Sequence, residues 1–405
     1  MTEPWTLAVV VLAGTLGGAC TGLLPGLHVN TLAPLLLASA VFLDPLAAVL
    51  LILSVATSHT IVNVVPTLAA PLPEDDTSLV LLPIQRLARA GHAGPALLAS
   101  VRASWAAGAL AAILGLLFLL LPIPFDGIPN AWTRTGVLGI VLLLILGTRR
   151  PGHAALLFLF AGAAGIILLP HSIPGPLGGD GSVLLPAFAA FFGTPLLVMA
   201  LAGPPTGDDP TPDATGAMEN PGFLPTLLGT GCGLLVSLFP GLTSATAGAF
   251  GRAVRSPDND IEDVAMVSAV NTANAMGNTV MMVLLGATRS GANAAAARLD
   301  PEIGGIGAST AAAALVAGLL VTTALSALLV LRTGPRLVGV LRRLPPRGLA
   351  AGGLGLLATI VFLANGPFGL LLVLFLLPLG FLPHHWSVPR ALLMGFLLVP
   401  YLFAA

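Results

Sequence analysis

The same Pro-Gly motif occurs twice in this sequence of 405 residues, and the two copies lie 215 positions apart. Positions 21–31 read TGLLPGLHVNT, and positions 236–246 read VSLFPGLTSAT. Without a gap, the same offset gives 13 identities over positions 14–63. The matches include Gly14 with Gly229, Gly18 with Gly233, Thr57 with Thr272 and Asn63 with Asn278. Because these residue types break helices or carry polar groups, the duplicated feature is interpreted as a site.

The composition is that of a membrane protein. Apolar residues make up 56% of the chain and charged residues only 8%, with a mean hydropathy of +0.99, which excludes a soluble globular domain. The 48 glycines and 35 prolines lie largely inside apolar runs, where neighbouring helices can satisfy the backbone groups that they free. A net charge of −1 argues against a nucleic-acid partner. We therefore expect an all-α polytopic protein that contacts the lipid bilayer and has helices interrupted within it.

Each copy of the motif predicts a re-entrant helical hairpin. In the first copy, an apolar segment at 6–24 is followed by the break at Pro25 and Gly26 and then by a segment at 31–43. At about 1.5 Å per residue, the second segment is too short to cross about 30 Å of hydrocarbon. The pair is therefore expected to enter the membrane and return. The second copy repeats this plan around Pro240 and Gly241.

About five transmembrane helices are expected after each hairpin. The predicted crossings are 46–68, 95–121, 135–148, 153–170 and 182–202 in the first copy, and 263–287, 305–331, 348–364, 367–382 and 389–404 in the second. The chain is thus divided into a first repeat at 1–202, an acidic Pro/Gly-rich linker at 203–222 and a second repeat at 223–405.

An odd number of crossings would insert the second repeat upside down relative to the first. Arginines test this, because basic residues accumulate in cytoplasmic loops. The loop at 122–133 has no arginine, whereas its counterpart carries five; conversely, the loop with Arg149 and Arg150 corresponds to 365–369, which has none. Inverted-topology repeats explain this pattern. They place both termini outside and the central linker in the cytoplasm.

The residues at the two expected hairpin tips suit an anion. A Pro-Gly break exposes the N–H groups and the positive dipole end of the helix that follows it. The side chains at these positions donate hydrogen bonds without adding a permanent charge. They are His28, Asn30 and Thr31 in the first copy, and Thr243, Ser244 and Thr246 in the second. The alternative is that Pro-Gly only kinks a packed helix whose hydroxyls cap it.

A second polar element lies on the crossing after each hairpin. His59 and Asn63 are four residues apart, as are Asn274 and Asn278, so each pair shares a helix face, and Asn271 extends the second stripe. Such a face is costly against lipid and is expected to point into the protein or into water, where it can line a permeation route. Hydrogen bonding between helices is the structural alternative.

Coupling to an ion gradient has two candidates, Na⁺ and H⁺, and no other cofactor or metal is predicted. His28 and His59 are the titratable residues expected near both tips, which makes them candidates for proton coupling. A neutral, hydrogen-bonded histidine is the alternative. The spacing of Gly14 and Gly18, repeated at Gly229 and Gly233, indicates close helix packing within the fold and, secondarily, a homodimer.

Two Pro-Gly-Leu motifs, each preceded by a Gly-rich apolar helix and followed by a crossing with Thr and Asn, resemble the large membrane subunit of the tripartite tricarboxylate transporters, especially its shorter archaeal-type relatives. The resemblance is specific around 14–63 and 229–279. It implies a multi-pass symporter of a prokaryotic plasma membrane that carries organic anions such as carboxylates between its hairpin tips by alternating access. It also implies an external binding protein and a small membrane subunit as partners. The residues that match the family motif are Pro25, Gly26, Leu27, Pro240, Gly241 and Leu242.

Two other functions stay open on the sequence. Proteins that recycle a lipid-linked polyprenyl phosphate have similar paired Pro-Gly hairpins. A phosphate site of this kind usually contains an arginine near the hairpin tips, and none is predicted there. An intramembrane hydrolase or transferase would use His28 or His59 as a base, and no paired carboxylates, zinc signature or nucleophilic-serine motif accompany them. The prediction is therefore a transporter and not an enzyme.

Overall fold

The computed structural model describes residues 3–24, 43–69, 81–120, 130–176, 181–202, 222–239, 244–286, 290–299 and 310–403. Over these ranges the chain is helical, and its only extended pairing is an isolated bridge between Ser172 and Ser182. The helices of the first half are α1 (Pro4–Gly22), α2 (Pro45–Val62), α3 (Val64–Ala69), α4 (Leu81–Arg89), α5 (Ala93–Leu120), α6 (Asn130–Leu146), α7 (Pro151–Leu168), α8 (Leu184–Phe188) and, after a π-helical turn at Ala189–Gly193, α9 (Thr194–Ala202).

The second half contains seven described helices. They are α10 (Leu224–Ser237), α11 (Ser244–Val254), α12 (Asp260–Leu285), α13 (Gly291–Leu299), α14 (Thr310–Leu341), α15 (Pro346–Trp386) and, after a 3₁₀ turn at Arg390–Met394, α16 (Gly395–Phe403). Two helix boundaries of the second half lie at the positions that the 215-residue offset predicts from the first half. α1 ends at Gly22 and α10 at Ser237, while α2 begins at Pro45 and α12 at Asp260, and each pair is 215 positions apart.

Seven of the described helical stretches are long and apolar enough to cross a bilayer. They are Pro4–Gly22, Pro45–Ala69, Ala93–Leu120, Pro151–Leu168, Leu184–Ala202, Thr310–Leu341 and Pro346–Trp386. This confirms the prediction of an all-α polytopic membrane protein. With 26 residues, α12 is also long enough, but its first turn is acidic, and the Asn259 side chain caps it by accepting from the Glu262 N–H at 2.9 Å.

The break expected at 365–369 is present, because the range Pro346–Trp386 joins two helices that meet at a sharp kink at Gly366. Gly366 adopts φ +65° and ψ −165°, a conformation that breaks the helix and that glycine tolerates without strain. The preceding residue, Asn365, is buried and donates hydrogen bonds from Nδ2 to the carbonyls of Ile173 at 2.9 Å and Ser182 at 3.1 Å. These bonds tie the kink to the connection between α7 and α8.

The described helices pack into two bodies, and each body draws helices from both halves of the chain. The hairpin body contains α1–α5 and α10–α14; the lateral body contains α6–α9, α15 and α16. Phe191 and Phe396, both fully buried, meet edge to face in the lateral body with ring centroids 5.6 Å apart. Among the described residues the bodies meet at small contacts, where Phe239 lies against Gly136 and Leu144 packs beside Val236.

Helices α5 and α14 cross in the centre of the hairpin body. A β-carbon at Gly108 would lie 2.7 Å from the Thr323 methyl group, and one at Gly334 would lie 2.9 Å from the Leu97 side chain. Between these two contacts the residue number falls along α5 and rises along α14, so the two helices are antiparallel. Gly108 and Thr323 are themselves 215 positions apart, which means that equivalent residues of the two halves meet at the crossing.

Candidate functional site

The second hairpin consists of α10 and α11, and it packs against α12. Glycine lets the backbones of α10 and α12 touch: a β-carbon at Gly229 would lie 2.2 Å from the Met266 carbonyl oxygen, and one at Gly233 would lie 2.5 Å from that of Val270. Residue numbers rise together along this contact. The two helices therefore run in the same direction.

α11 runs back along α12 in the opposite direction. Its first residue, Ser244, accepts a hydrogen bond of 3.5 Å from Asn274 Nδ2, and in its last turn Arg252 Nε donates to Asp263 at 2.8 Å. Asn274 lies 14 residues after the first residue of the 26-residue α12, which corresponds to about 21 Å. The beginning of α11 thus lies near the middle of a helix that is long enough to span a bilayer.

The polar residues around this point are buried. Asn271, Asn274 and Asn278 of α12 are each less than one tenth exposed, as are Ser244 and Thr246 of α11. The stripe of asparagines therefore faces the protein interior, as its cost against lipid requires. The Oδ1 of Asn274 is buried and has no hydrogen-bond partner among the described residues. An amide acceptor without a partner is thus held beside the first turn of α11.

The first half repeats the helix pair before and after the hairpin. A β-carbon at Gly18 would lie 2.4 Å from the Val55 carbonyl oxygen, and one at Gly22 would lie 2.8 Å from that of His59. Like α10 and α12, α1 and α2 therefore run in the same direction. The His59 Nδ1 lies 3.1 Å from the Thr21 hydroxyl oxygen. Asn63 ends α2 with its side chain buried, and its Nδ2 has no hydrogen-bond partner among the described residues.

Most of the predicted tip residues lie outside the described residues. These are Pro25, Gly26, Leu27, His28, Asn30, Thr31, Pro240, Gly241, Leu242 and Thr243. Of the remainder, the structure joins Ser244 to Asn274 and places His59 and Asn63 at the end of α2, which packs against α12. With the 215-residue offset, His59 corresponds to Asn274 and Asn63 to Asn278.

Ion pairs gather where α12 begins. Arg86 of α4 forms a two-pronged pair with Asp260, with its Nε 2.9 Å from the carboxylate, and Arg252 pairs with Asp263. The side-chain hydrogen bond to Asp260 raises the pKa of Arg86. These contacts bring the ends of α4 and α11 together at one face of the hairpin body. Arg342, which follows α14, donates to the carbonyl oxygens of Leu68 and Ala88 at the same face.

Comparison with known protein families shows which family the chain belongs to. The profile of the tripartite tricarboxylate transporter TctA family matches residues 8–395. The chain belongs to the TctA family. That match includes both Pro-Gly-Leu motifs, the described hairpin α10–α11 and the polar stripes on α2 and α12, so the resemblance read from two short motifs extends over nearly the whole chain.

Searches of curated proteins and of solved structures returned no match. Within the described ranges of this TctA-family chain, no group of three or more His, Cys, Asp or Glu residues could hold a metal ion. The family is one of transporters, and the chain is accordingly a component of a tricarboxylate transport system.

The sequence interpretation missed a set of buried and half-buried hydroxyls that join helices of the two halves. Thr322 of α14 donates to Ser54 of α2 at 3.0 Å, and Ser268 of α12 donates to Ser100 of α5 at 2.8 Å. Isolated Ser and Thr residues in apolar helices are common and often bond to their own backbone. The sequence therefore carried no signal that would have distinguished these four.

Proposed function

We propose that this TctA-family chain is a secondary active transporter that carries a carboxylate-type organic anion, bound at mid-depth between its two hairpin tips. The observation that carries the proposal is the position of Ser244, which places the beginning of α11 beside Asn274 near the middle of α12. The family match supports the transport class.

A helix of 11 residues that begins inside the protein presents, in its first turn, N–H groups that have no partner within the helix itself, together with a positive dipole end. The hydroxyls of Ser244 and Thr246 in its first turn and the Nδ2 of Asn274 beside it add neutral donors, whereas the Asn274 Oδ1 is an acceptor and would not bind a carboxylate oxygen. Carboxylate oxygens accept several such bonds without a basic residue in the membrane. The counterpart tip would supply His28, Asn30 and Thr31, with His59 and Asn63 behind them.

Inverted repeats would bring the two tips face to face. The crossing of α5 and α14 supports them, because equivalent residues, Gly108 and Thr323, meet there in antiparallel helices. A two-fold axis through this crossing would lie perpendicular to both helices. In a bilayer that axis would lie in the membrane plane, as expected for inverted and not for parallel duplication.

Alternating access would use the division into two bodies. Both α10–α12 and the pair α1–α2 belong to the hairpin body, and small contacts join it to the lateral body. Movement of one body against the other would expose the site first to one side and then to the other. A gradient of Na⁺ or H⁺ would drive the cycle, with His28 and His59 as the candidate proton carriers.

The orientation and partners follow from the same proposal. The face that holds Arg86, Arg252 and Arg342 would be cytoplasmic, since basic residues favour that side, and both termini would be outside. A substrate-binding protein outside the cell and a small membrane subunit would complete the tripartite system that the family name describes. The glycines at positions 18 and 233 pack against α2 and α12 of the same chain, so a homodimer stays a prediction that these contacts do not support.

Ligand-dependent melting of the purified protein tests the proposed function. Citrate, inorganic phosphate and a polyprenyl phosphate are compared, each with and without Na⁺, because a ligand that prefers the folded state raises its apparent stability. We expect citrate to raise the melting temperature, with a larger rise in Na⁺ if Na⁺ is the coupling ion. At a hundredfold excess over the dissociation constant, the stabilisation should be about 2.7 kcal/mol. Stabilisation by polyprenyl phosphate alone would instead favour the translocase function.

A further inference from the structure

The end of α14 and the start of α15 form a basic region without acidic residues. Between 310 and 403 the sequence contains no Asp or Glu but has six arginines, and five of them lie between 332 and 347. Three other described arginines of the hairpin body form ion pairs within the chain: Arg86 with Asp260, Arg252 with Asp263, and Arg255 with Asp258. The basic region at 332–347 differs from these, because no acidic residue lies on the same stretch of chain.

All five of these arginines are exposed, and none forms an ion pair with a described residue. Arg342 differs from the others because its guanidinium donates to the carbonyls of Leu68 and Ala88. We call the other four the arginine stripe: Arg332, Arg336, Arg343 and Arg347.

The stripe continues the lipid-facing side of α14. Leu328 and Leu331 are 49% and 41% exposed on that side, whereas Val330 and Val338 are buried. From residue 310 to residue 331, α14 carries 22 residues without a charge, which span about 33 Å and match the hydrocarbon thickness. Arg332 therefore lies where the apolar layer ends and the headgroups begin.

The neighbouring helix carries two exposed residues on the membrane side of this level. Because α5 and α14 are antiparallel, with Gly108 opposite Thr323 and Leu97 beside Gly334, the position three residues before Gly108 is level with the position three residues after Thr323. Trp105, which is 50% exposed, therefore lies about 9 Å deeper in the apolar layer than Arg332. The exposed Arg102 lies about 4.5 Å deeper than Arg332, a distance that an arginine stem can span toward the headgroups.

We infer that the arginine stripe binds the phosphate headgroups of anionic phospholipids. Guanidinium groups present paired N–H donors that match phosphate oxygens, and they stay charged at every physiological pH. The apolar stems of the same side chains can lie along the acyl region. The site lies next to the four-residue connection 342–345, the described link between the hairpin body and the lateral body, so a bound lipid would contact both sides of that junction.

Native mass spectrometry of the full-length protein tests the inference. The measurement compares retained phosphatidylglycerol with retained phosphatidylcholine for the wild type and for the variant with Arg332→Gln, Arg336→Gln, Arg343→Gln and Arg347→Gln. Each arginine removed should weaken the preference for the anionic lipid by about fivefold. The preference of the wild type should also fall with added salt. Replacing the same four residues by Lys keeps the positive charge and should retain most of the preference for phosphatidylglycerol. This variant separates a loss of lipid binding from a defect in folding.

The double variant Arg149→Gln/Arg150→Gln is the matched control, because both residues are exposed and lie between α6 and α7 of the lateral body. Its lipid preference should equal that of the wild type. A loss in this control equal to that of Arg332→Gln/Arg336→Gln, which also removes two exposed arginines, would overturn the inference, as would an unchanged preference in the stripe variant.

A further variant replaces the linker's acidic residues by their amides: Asp208→Asn, Asp209→Asn, Asp213→Asn and Glu219→Gln. A severalfold gain in its retained phosphatidylglycerol would also overturn the inference, because the acidic linker would then be what binds the arginine stripe in the wild type. None of these outcomes depends on citrate binding.

Discussion

Asn274 is the described residue on which the proposed transport site most directly depends. Replacing it by Leu removes the amide beside Ser244 and leaves a side chain of similar size in a buried position. We expect Asn274→Leu to lower citrate uptake into proteoliposomes at least tenfold, with little change in expression or melting temperature, because a polar ligand is lost and packing is kept. Asn278→Leu should act in the same way.

Thr230→Val provides the control for this prediction. Thr230 is a buried residue of the same hairpin, but its hydroxyl donates to the Thr226 carbonyl of its own helix at 2.7 Å. The change removes a buried hydroxyl at nearly constant shape, and uptake should stay within about twofold of the wild type. Uptake that survives in Asn274→Leu, or fails equally in Thr230→Val, would remove Asn274 from the site.

At the scale of single residues, the sequence predicted which side chains share a helix face better than it predicted which side chains form hydrogen bonds between helices. Helical periodicity was enough to put Asn271, Asn274 and Asn278 on one stripe, and the described structure buries all three. The hydrogen bonds between Thr322 and Ser54 and between Ser268 and Ser100 join residues more than 160 positions apart. No local pattern encodes such a pairing, because it depends on how the two halves pack.

At the scale of helices, the contact between α10 and α12 requires glycine at position 233. A β-carbon there would lie 2.5 Å from the Val270 carbonyl oxygen and 3.0 Å from the Ala273 side chain. The obstacle is backbone that cannot rotate away, so the helices must separate. Gly233→Ala should therefore destabilise the protein by about 1–3 kcal/mol, as overpacked interiors do, and the fall in melting temperature measures it.

Gly231 offers the matched substitution two positions earlier on α10. A β-carbon there would meet no other atom within 4 Å, so Gly231→Ala gains helix propensity worth up to about 1 kcal/mol without a steric cost. The two variants should thus shift the melting temperature in opposite directions. Equal shifts would mean that helix propensity, and not the close approach to α12, governs this glycine.

Helix boundaries were predictable from the duplication and from turn residues, whereas the contacts that hold them were not. The repeat of 215 residues anticipates the end of α10 from α1 and the start of α12 from α2. At 365–369 the Asn-Gly-Pro sequence predicts a break by ordinary turn rules, and two helices do meet there at Gly366. The buried hydrogen bonds from Asn365 to the α7–α8 connection depend on tertiary packing, and no local pattern predicts them.

For the whole molecule, the repeat and the packing divide the chain differently. The repeat separates 1–202 from 223–405, and this division stays a prediction about symmetry. The packing instead groups the early helices of both halves around the α5–α14 crossing and the late helices of both halves around Phe191 and Phe396. A single sequence contains no information about such an exchange, because all of these helices are similarly apolar.

The division into two bodies predicts how distances change during transport. Gly94 and Gly339 belong to the hairpin body and Gly152 to the lateral body, and a side chain at any of them would meet no atom within 4 Å. Spin labels can be attached there after Cys20→Ser and Cys232→Ala remove the two native cysteines. We expect the Gly94–Gly339 pair to give one narrow distance, by electron–electron double resonance, that citrate leaves unchanged.

The Gly152–Gly339 pair should behave differently, with two populated distances whose ratio shifts when citrate and Na⁺ are added, because a ligand changes populations only by preferring one state. A difference of about 1.4 kcal/mol between the states bound to ligand would change that ratio tenfold. If both pairs give single distances that do not respond to ligand, the bodies form one rigid unit. If both pairs shift together, the hairpin body itself deforms, and access to the site must then arise within it and not between the two bodies.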